Sequence, residues 1–365
     1  MSRRKFLEKA GLLGASTVVA TVALQPAVVQ ADAQPSVKWR LTSSFPKNLD
    51  VIYGTSEVVA NRVRALTDGK FDIRVFAAGE IVPGLQALDA VQNGTVEVAH
   101  SASYYYVGKD KTFAFDTALP FGLSARQQNA WLYHGGGLEQ LREFYKDYNV
   151  INFPGGNTGT QMGGWFRKEI KGLADLKGLK MRIPGFGGEI LSKLGVVPQT
   201  IAGGDIYPSL EKGTIDAAEW VGPYDDERLG FSKVTKFYYA PGFWEASAGL
   251  SFFVNTKEWE KLPTSYKAAF EAACAEANVL MLAAYDAKNP AALAKILNSG
   301  VQLKAFPSDI MEAAYTASEA LLKEEAAKNP KFKKILNSWL RFRSDQANWF
   351  KVAENRMANF QSSKP

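Results

Sequence analysis

Ala90-Val91-Gln92-Asn93-Gly94-Thr95-Val96-Glu97-Val98-Ala99-His100 lines up without gaps against Ser209-Leu210-Glu211-Lys212-Gly213-Thr214-Ile215-Asp216-Ala217-Ala218-Glu219. Each run reads as a helix end, a Gly-Thr turn and a short strand leading to a polar residue. Two copies of one unit, far apart in the chain, point to two lobes of one topology. In each, the chain leaves the carboxyl end of a strand, where open α/β sheets bind ligands. His100 and Tyr104-Tyr105-Tyr106 leave the first lobe there; Glu219 and Trp220 leave the second. Short matches also arise by chance, so the flanking sequence must support the same topology.

It does. Val37, Trp39 and Leu41 alternate with polar residues and predict a first strand. A helix is expected from about Leu49 to Leu66, ending near Asp68-Gly69, then a strand over Phe71–Phe76. Pro83 suits the first turn of a helix running to Asn93-Gly94. Val96, Val98 and His100 continue as a strand. This β-α-β-α-β alternation predicts an α/β lobe with a largely parallel sheet. After Thr256 the composition is helical: 257–297, broken by Pro263 and Pro290, and 308–328. Lys331 to Lys364 holds neither Gly nor Pro. Ile335, Trp339, Phe342, Trp349, Ala353 and Met357 keep a helix-like spacing, with a polar gap at Gln346. A single helix there would be about 50 Å long, longer than one lobe needs.

The N-terminus carries a different message. Ser2-Arg3-Arg4-Lys5-Phe6-Leu7-Glu8-Lys9 precedes an apolar run from Ala10 to Leu24, and Ala31-Asp32-Ala33 offers a small-residue cleavage site before Gln34. This pattern predicts a twin-arginine export signal over residues 1–33, with the remainder working outside the cytoplasm. A buried amphipathic helix is the plain alternative. Of the net charge of +6, the leader contributes Arg3, Arg4, Lys5 and Lys9 against Glu8 and Asp32. The rest is only mildly basic, which does not suggest a nucleic-acid partner. No apolar run of membrane-spanning length follows the leader. Cys274 stands alone, so no internal disulfide can form. His100 and His134 are the only histidines, which leaves Cys/His zinc sites and Ser-His-Asp triads poorly supported.

Several residues could carry a site. Arg182, in Lys180-Met181-Arg182-Ile183-Pro184, could take a carboxylate through two parallel hydrogen bonds; an ordinary ion pair is the alternative. Gly155-Gly156-Asn157-Thr158-Gly159-Thr160-Gln161-Met162-Gly163-Gly164-Trp165 lacks the Gly-Lys-Ser/Thr of a phosphate loop. A hinge or ligand wall, or simply a turn-rich connection, fits it better. Glu219-Trp220-Val221-Gly222-Pro223-Tyr224-Asp225-Asp226 and Phe243-Trp244-Glu245 put acids beside indoles. Two acids facing an anion would repel it, and a hard cation with oxygen ligands would remove the conflict; simple pairing of each acid with a nearby Lys or Arg is the plainer alternative. Tyr104, Tyr105 and Tyr106 cannot all face one way, so at most one or two could touch a ligand, and core or rim positions are the alternative.

These runs resemble the extracytoplasmic solute receptors of TRAP transporters. So do Trp39-Arg40-Leu41, Pro83-Gly84-Leu85-Gln86-Ala87, Phe153-Pro154, Leu176-Lys177-Gly178-Leu179 and Gly203-Gly204-Asp205-Ile206-Tyr207-Pro208. More narrowly they resemble the branch that binds 2-oxo acids such as pyruvate together with sodium; a sister branch binds lactate with calcium. The resemblance covers essentially the whole chain after the leader. It implies a two-lobed, periplasmic-binding-protein-like α/β fold with an interlobe cleft and long C-terminal helices. The first lobe would be 34–154, completed by part of 247–300. The second would be 155–246, completed by part of 300–330. The segment 331–365 would be a long helix for dimerisation. The resemblance also implies Arg182 on the ligand carboxylate and Gln161 at ion and ligand. Glu219, Glu245 and the Trp220 carbonyl would hold a sodium ion, or alternatively calcium. One or both of Tyr104 and Tyr105 would contact the substrate, as would Trp220, and Asn157 lies in the branch motif. The implied partners are a small 2-oxo monocarboxylate, the membrane permease subunits and a second copy with a swapped C-terminal helix. The implied setting is the periplasm, with no catalysis. The rival is an exported metal-dependent hydrolase or lyase acting on keto acids, which would need a poised acid or base. For the last helix, the rival is folding back on its own lobes.

Overall fold

The computed structural model describes residues 34–364. The leader expected over 1–33 lies outside the described residues. The chain begins β1 (Val37–Ser43), α1 (Gly54–Leu66), β2 (Phe71–Phe76), α2 (Ala87–Gln92), β3 (Val98–Ser101), α3 (Ala114–Thr117), α4 (Ala125–His134), α5 (Gly137–Tyr145) and β4 (Val150–Asn157). It continues β5 (Gly164–Phe166), β6 (Lys180–Arg182), α6 (Gly185–Lys193), β7 (Val197–Gln199), α7 (Gly203–Lys212), β8 (Ala217–Ala218), α8 (Pro223–Leu229) and β9 (Phe237–Ala240). Then come β10 (Gly249–Asn255), α9 (Thr256–Glu260), α10 (Thr264–Asn298), β11 (Gln302–Ala305), α11 (Ser308–Lys328), α12 (Pro330–Val352) and α13 (Glu354–Ser362).

Two sheets form, one per lobe. The first has the order β2-β1-β3-β10-β4 and the second β11-β9-β5-β8-β6-β7. The two matching sequence runs occupy matching places. Gly94 and Gly213 both sit in the left-handed region, at φ +71° and +72°, which costs glycine least. After each, a threonine N–H turns back, Thr95 to the Ala90 carbonyl and Thr214 to the Ser209 carbonyl. The strands that follow are central: β3 is parallel to β1 and antiparallel to β10, and β8 is parallel to β6 and antiparallel to β5. Both sheets are largely parallel, as expected, with one strand each running the other way, β10 in the first and β5 in the second, because these two enter from the segments that cross between the sheets.

Three chain segments pass between the sheets: 158–163, 241–248 and the run through α10. The glycine that ends the first and the one that opens β5 serve close packing: a Cβ at Gly163 would lie 2.3 Å from the Phe306 ring. Gly164 has φ +93°, and a Cβ there would lie 2.6 Å from the Ala218 carbonyl oxygen. One apolar cluster packs β1, β2 and β10 against α1 and α10 through Trp39, Phe71, Phe252 and Phe270. A second draws on both lobes, with Phe45 and Tyr104 from one and Trp165 and Trp220 from the other.

Three boundaries differ from expectation. α1 begins at Gly54 rather than Leu49. Pro290 does not break α10, which runs unbroken through Asn298; the proline is exposed, so the carbonyl it cannot bond reaches water. The last segment is not one helix. Ala353 adopts φ −107° and ψ −91°, which separates α12 from α13. The first half of α12 folds onto the lobes of its own chain: Phe332, Ile335, Leu336 and Trp339 are buried, and Phe332 lies 4.8 Å from Phe115 and 6.0 Å from Phe186, ring to ring.

Candidate ligand and cation site

Parallel pairing of β6 with β8 sets Arg182 opposite Ala218. The Arg182 carbonyl then accepts the Glu219 N–H at 3.2 Å. The guanidinium turns back over the same segment. Its Nε donates to the Ile201 carbonyl and its Nη1 to the Glu219 carbonyl, both at 3.0 Å. Nη1 also pairs with the Glu219 carboxylate. The Trp220 ring lies 5.2 Å from the guanidinium carbon. Arg182 is 1% exposed and Glu219 0%.

The interlobe segments bring in the remaining groups. Gln161 N–H donates to the Glu245 carbonyl at 3.1 Å, and Gly242 N–H to the Gln161 carbonyl at 2.9 Å. Met162 N–H reaches the Val221 carbonyl at 3.0 Å. Segments 158–163, 241–248 and 219–221 are thereby fastened side by side. Tyr104 and Tyr105 approach from the first lobe, their rings 5.1 Å apart. Tyr104 lies beside Glu245, and Tyr105 beside Arg182.

Four buried polar atoms here have no hydrogen-bond partner: Gln161 Oε1, Glu219 Oε2, Glu245 Oε2 and Arg182 Nη2. Three are acceptors and one is a charged donor. Buried polar groups are ordinarily satisfied, so such a set points to a ligand. The acceptors suit a hard cation, and the donor suits a carboxylate. Electrostatics agree. Burial pushes Glu219 up to about 7, even though Arg182 pulls it down. Burial and the neighbouring Glu219 raise Glu245 well above the carboxylate range, against a hydrogen bond from Tyr104. Arg182 is the one cation the two acids share, Glu219 in an ion pair and Glu245 without one among the described residues, and a bound cation would supply the remaining positive charge. Among the described residues, no three His, Cys, Asp or Glu side chains cluster as a metal group. An ion here would therefore need amide or carbonyl oxygens as well.

A cavity of about 10 Å³ lies at this junction, lined among others by Tyr104, Tyr105, Thr158, Gln161 and Trp220. That is below the usual range for drug-sized ligands. Asn157 does not line it; its Oδ1 accepts the Gly159 N–H at 2.9 Å. Thr158 was not singled out in the sequence, although it sits in the Gly-Gly-Asn-Thr-Gly run. Its Oγ1 accepts Gln161 Nε2 at 3.1 Å, which leaves the amide oxygen as the unpartnered end of that side chain. Tyr106 is structural: its hydroxyl bonds Ser101 and accepts the Leu88 N–H. His100 is buried against Phe252, and His134 is exposed at the end of α4.

Known proteins share this architecture. Residues 42–329 match the bacterial extracellular solute-binding protein family 7, DctP. A monocarboxylate 2-oxoacid-binding periplasmic protein from a Nostoc species is 50% identical over 364 residues, covering all of both chains. A TRAP transporter solute-binding protein from Bordetella bronchiseptica is 57% identical, with a TM-score of 0.89 over 90% of this chain and 98% of that one. Its crystal holds a mixed-occupancy dimer, one site with copurified calcium and picolinate and the other apo. A periplasmic TRAP solute-binding protein from Pseudoalteromonas atlantica, with bound sodium and pyruvate, is 40% identical, with a TM-score of 0.86 over 89% of this chain and 99% of that one.

Proposed function

This chain belongs to the DctP family of TRAP solute receptors, and on that premise we propose that it captures a small 2-oxo monocarboxylate of the pyruvate class together with a cation. The observation that carries the proposal is the set of four unpartnered buried atoms on Gln161, Arg182, Glu219 and Glu245. Arg182 binds the ligand carboxylate through Nη2. Gln161, Glu219, Glu245 and the Trp220 carbonyl hold the cation, which supplies the positive charge that lets two acids stand beside an anion. Tyr104, Tyr105 and the Trp220 ring wall the ligand in. Asn157 shapes the turn that places Thr158 and Gln161. Sodium and calcium both occur with relatives, and sodium is the first choice here.

The receptor leaves the cytoplasm by the twin-arginine route, closes its lobes on the ligand and delivers it to the membrane permease. In this reading the lobes are 34–154 and 155–246 with their later completions, and a homodimer forms through the C-terminal helical segment. No covalent chemistry is involved, since the acids that could act as a base serve the cation. Native mass spectrometry of protein purified without added ligand tests this directly. A bound 2-oxo acid with one sodium or calcium is expected. A dicarboxylate, a sugar acid or a product of turnover would refute it.

A further inference from the structure

Asp225 and Asp226 are acids that the ligand site leaves without a role. Both are buried, and neither forms an ion pair among the described residues. Asp226 anchors the site segment to its own sheet: Oδ2 accepts Trp165 Nε1 at 2.9 Å and the Tyr238 hydroxyl at 2.6 Å, and Oδ1 accepts the Val221 N–H at 3.3 Å. Asp225 reaches the other way. Its Oδ2 accepts the Tyr285 hydroxyl at 2.8 Å and Trp220 Nε1 at 3.3 Å. Tyr285 sits on α10, which packs on β4 and α1 as well as on α8 and so touches both lobes.

The Trp220 indole has little freedom. A Cβ at Gly203 would lie 2.5 Å from its Cη2, the Phe45 ring meets it at 6.4 Å, and Arg182 stacks over it. Among the described residues, Asp225 is the only partner of its N–H. We propose that Asp225 is a positioning residue that ties the Trp220 wall of the ligand site to α10. The inference rests on the ligand reading of that site. Through the indole, Asp225 fixes the face on which the Arg182 guanidinium lies and the wall that the ligand meets. Through Tyr285, it joins that wall to the helix shared by the two lobes.

Pyruvate affinity by calorimetry, with sodium or calcium present, tests this alongside the melting temperature. Asp225→Ala should weaken binding at least tenfold. Asp225→Asn keeps one acceptor and should recover binding to within threefold of wild type. Trp220→Phe keeps a flat ring without the N–H, so adding Asp225→Ala to it should cost less than twofold more. A merely structural aspartate would lower the melting temperature in both backgrounds and give the same affinity loss in both, which overturns the inference. Should Asp225→Ala fail to fold, Tyr285→Phe should still weaken binding about threefold. Affinity within twofold of wild type in every variant that folds overturns the inference alone. A wild-type protein that binds no 2-oxo acid overturns the reading of the site, and this inference with it.

Discussion

Arg182 uses Nε and Nη1 within its own lobe and leaves Nη2 unpartnered. Lysine at 182 has no planar fork to reach Ile201, Glu219 and a ligand together. A hydrogen bond to a charged group contributes about 1.5–3 kcal/mol, so Arg182→Lys should weaken pyruvate binding roughly ten- to a hundredfold while the protein stays folded. Calorimetric affinity within threefold of wild type would remove Arg182 from the site. His100 makes a different prediction. Its Nδ1 lies 3.0 Å from Ser56 Oγ, and burial lowers its pKa from 6.5 to about 3. The unfolded chain therefore takes up the proton first as pH falls. The stability His100 contributes is complete above about pH 6.5 and is lost as pH falls toward about 3. Asp116, raised to about 6 by burial, works in the opposite direction, so the His100 share is read as a difference. Urea unfolding at pH 7 and pH 4 should show a smaller acid loss for His100→Gln than for wild type; equal losses would contradict it. Residue chemistry was only half legible in the sequence. The types and neighbours of Arg182, Glu219 and Glu245 suggested an anion with a cation. Their unpartnered atoms come from positions 161, 182, 219 and 245 meeting in space, and spacing along the chain cannot show that.

At the scale of elements, the C-terminal helices divide by exposure. Phe332, Ile335, Leu336 and Trp339 are core residues, while Trp349, Val352, Met357 and Phe360 are 56–62% exposed. The absence of Gly and Pro predicted one helix, but the break falls at an alanine, so no local breaker marked it. Pro290 is the converse, a breaker that packing on both sides of α10 overrides. Removing residues 354–365 deletes no buried side chain of α13. The melting temperature should stay within about 2 °C, the shift that roughly 0.5–1 kcal/mol produces in a domain of a few hundred residues. Light scattering should show the dimer converted to monomer. A dimer that survives this deletion would place the interface elsewhere. Truncation after Asn329 should instead abolish folding, since each large core residue lost costs about 2–5 kcal/mol.

Across the whole molecule, the paired sequence runs forecast two lobes. The largely parallel order was legible, but the one antiparallel strand of each sheet was hidden, because β5 and β10 join their sheets through the crossing segments. Polar contacts run between segments that flank the two sheets. Asp50, after β1, accepts the Tyr224 hydroxyl at 3.0 Å and Lys288 Nζ at 3.1 Å, and Arg228 lies 3.3 Å away. Tyr224 and Arg228 belong to α8, which follows β8 of the second sheet. Such half-exposed pairs contribute about 0–1 kcal/mol each and weaken with salt. Asp50→Asn should therefore speed ligand release about threefold at low salt, with the difference shrinking at high salt in stopped-flow measurements. An unchanged rate would exclude this clasp from closure. The central claim is that acid and cation are held as one linked pair. Calorimetric titration of pyruvate into ion-depleted protein, repeated at rising sodium or calcium, tests it most directly. Linkage requires that pyruvate affinity rise with the ion, and that pyruvate strengthen ion binding by the same factor. Pyruvate affinity that stays the same with and without the ion would contradict the account.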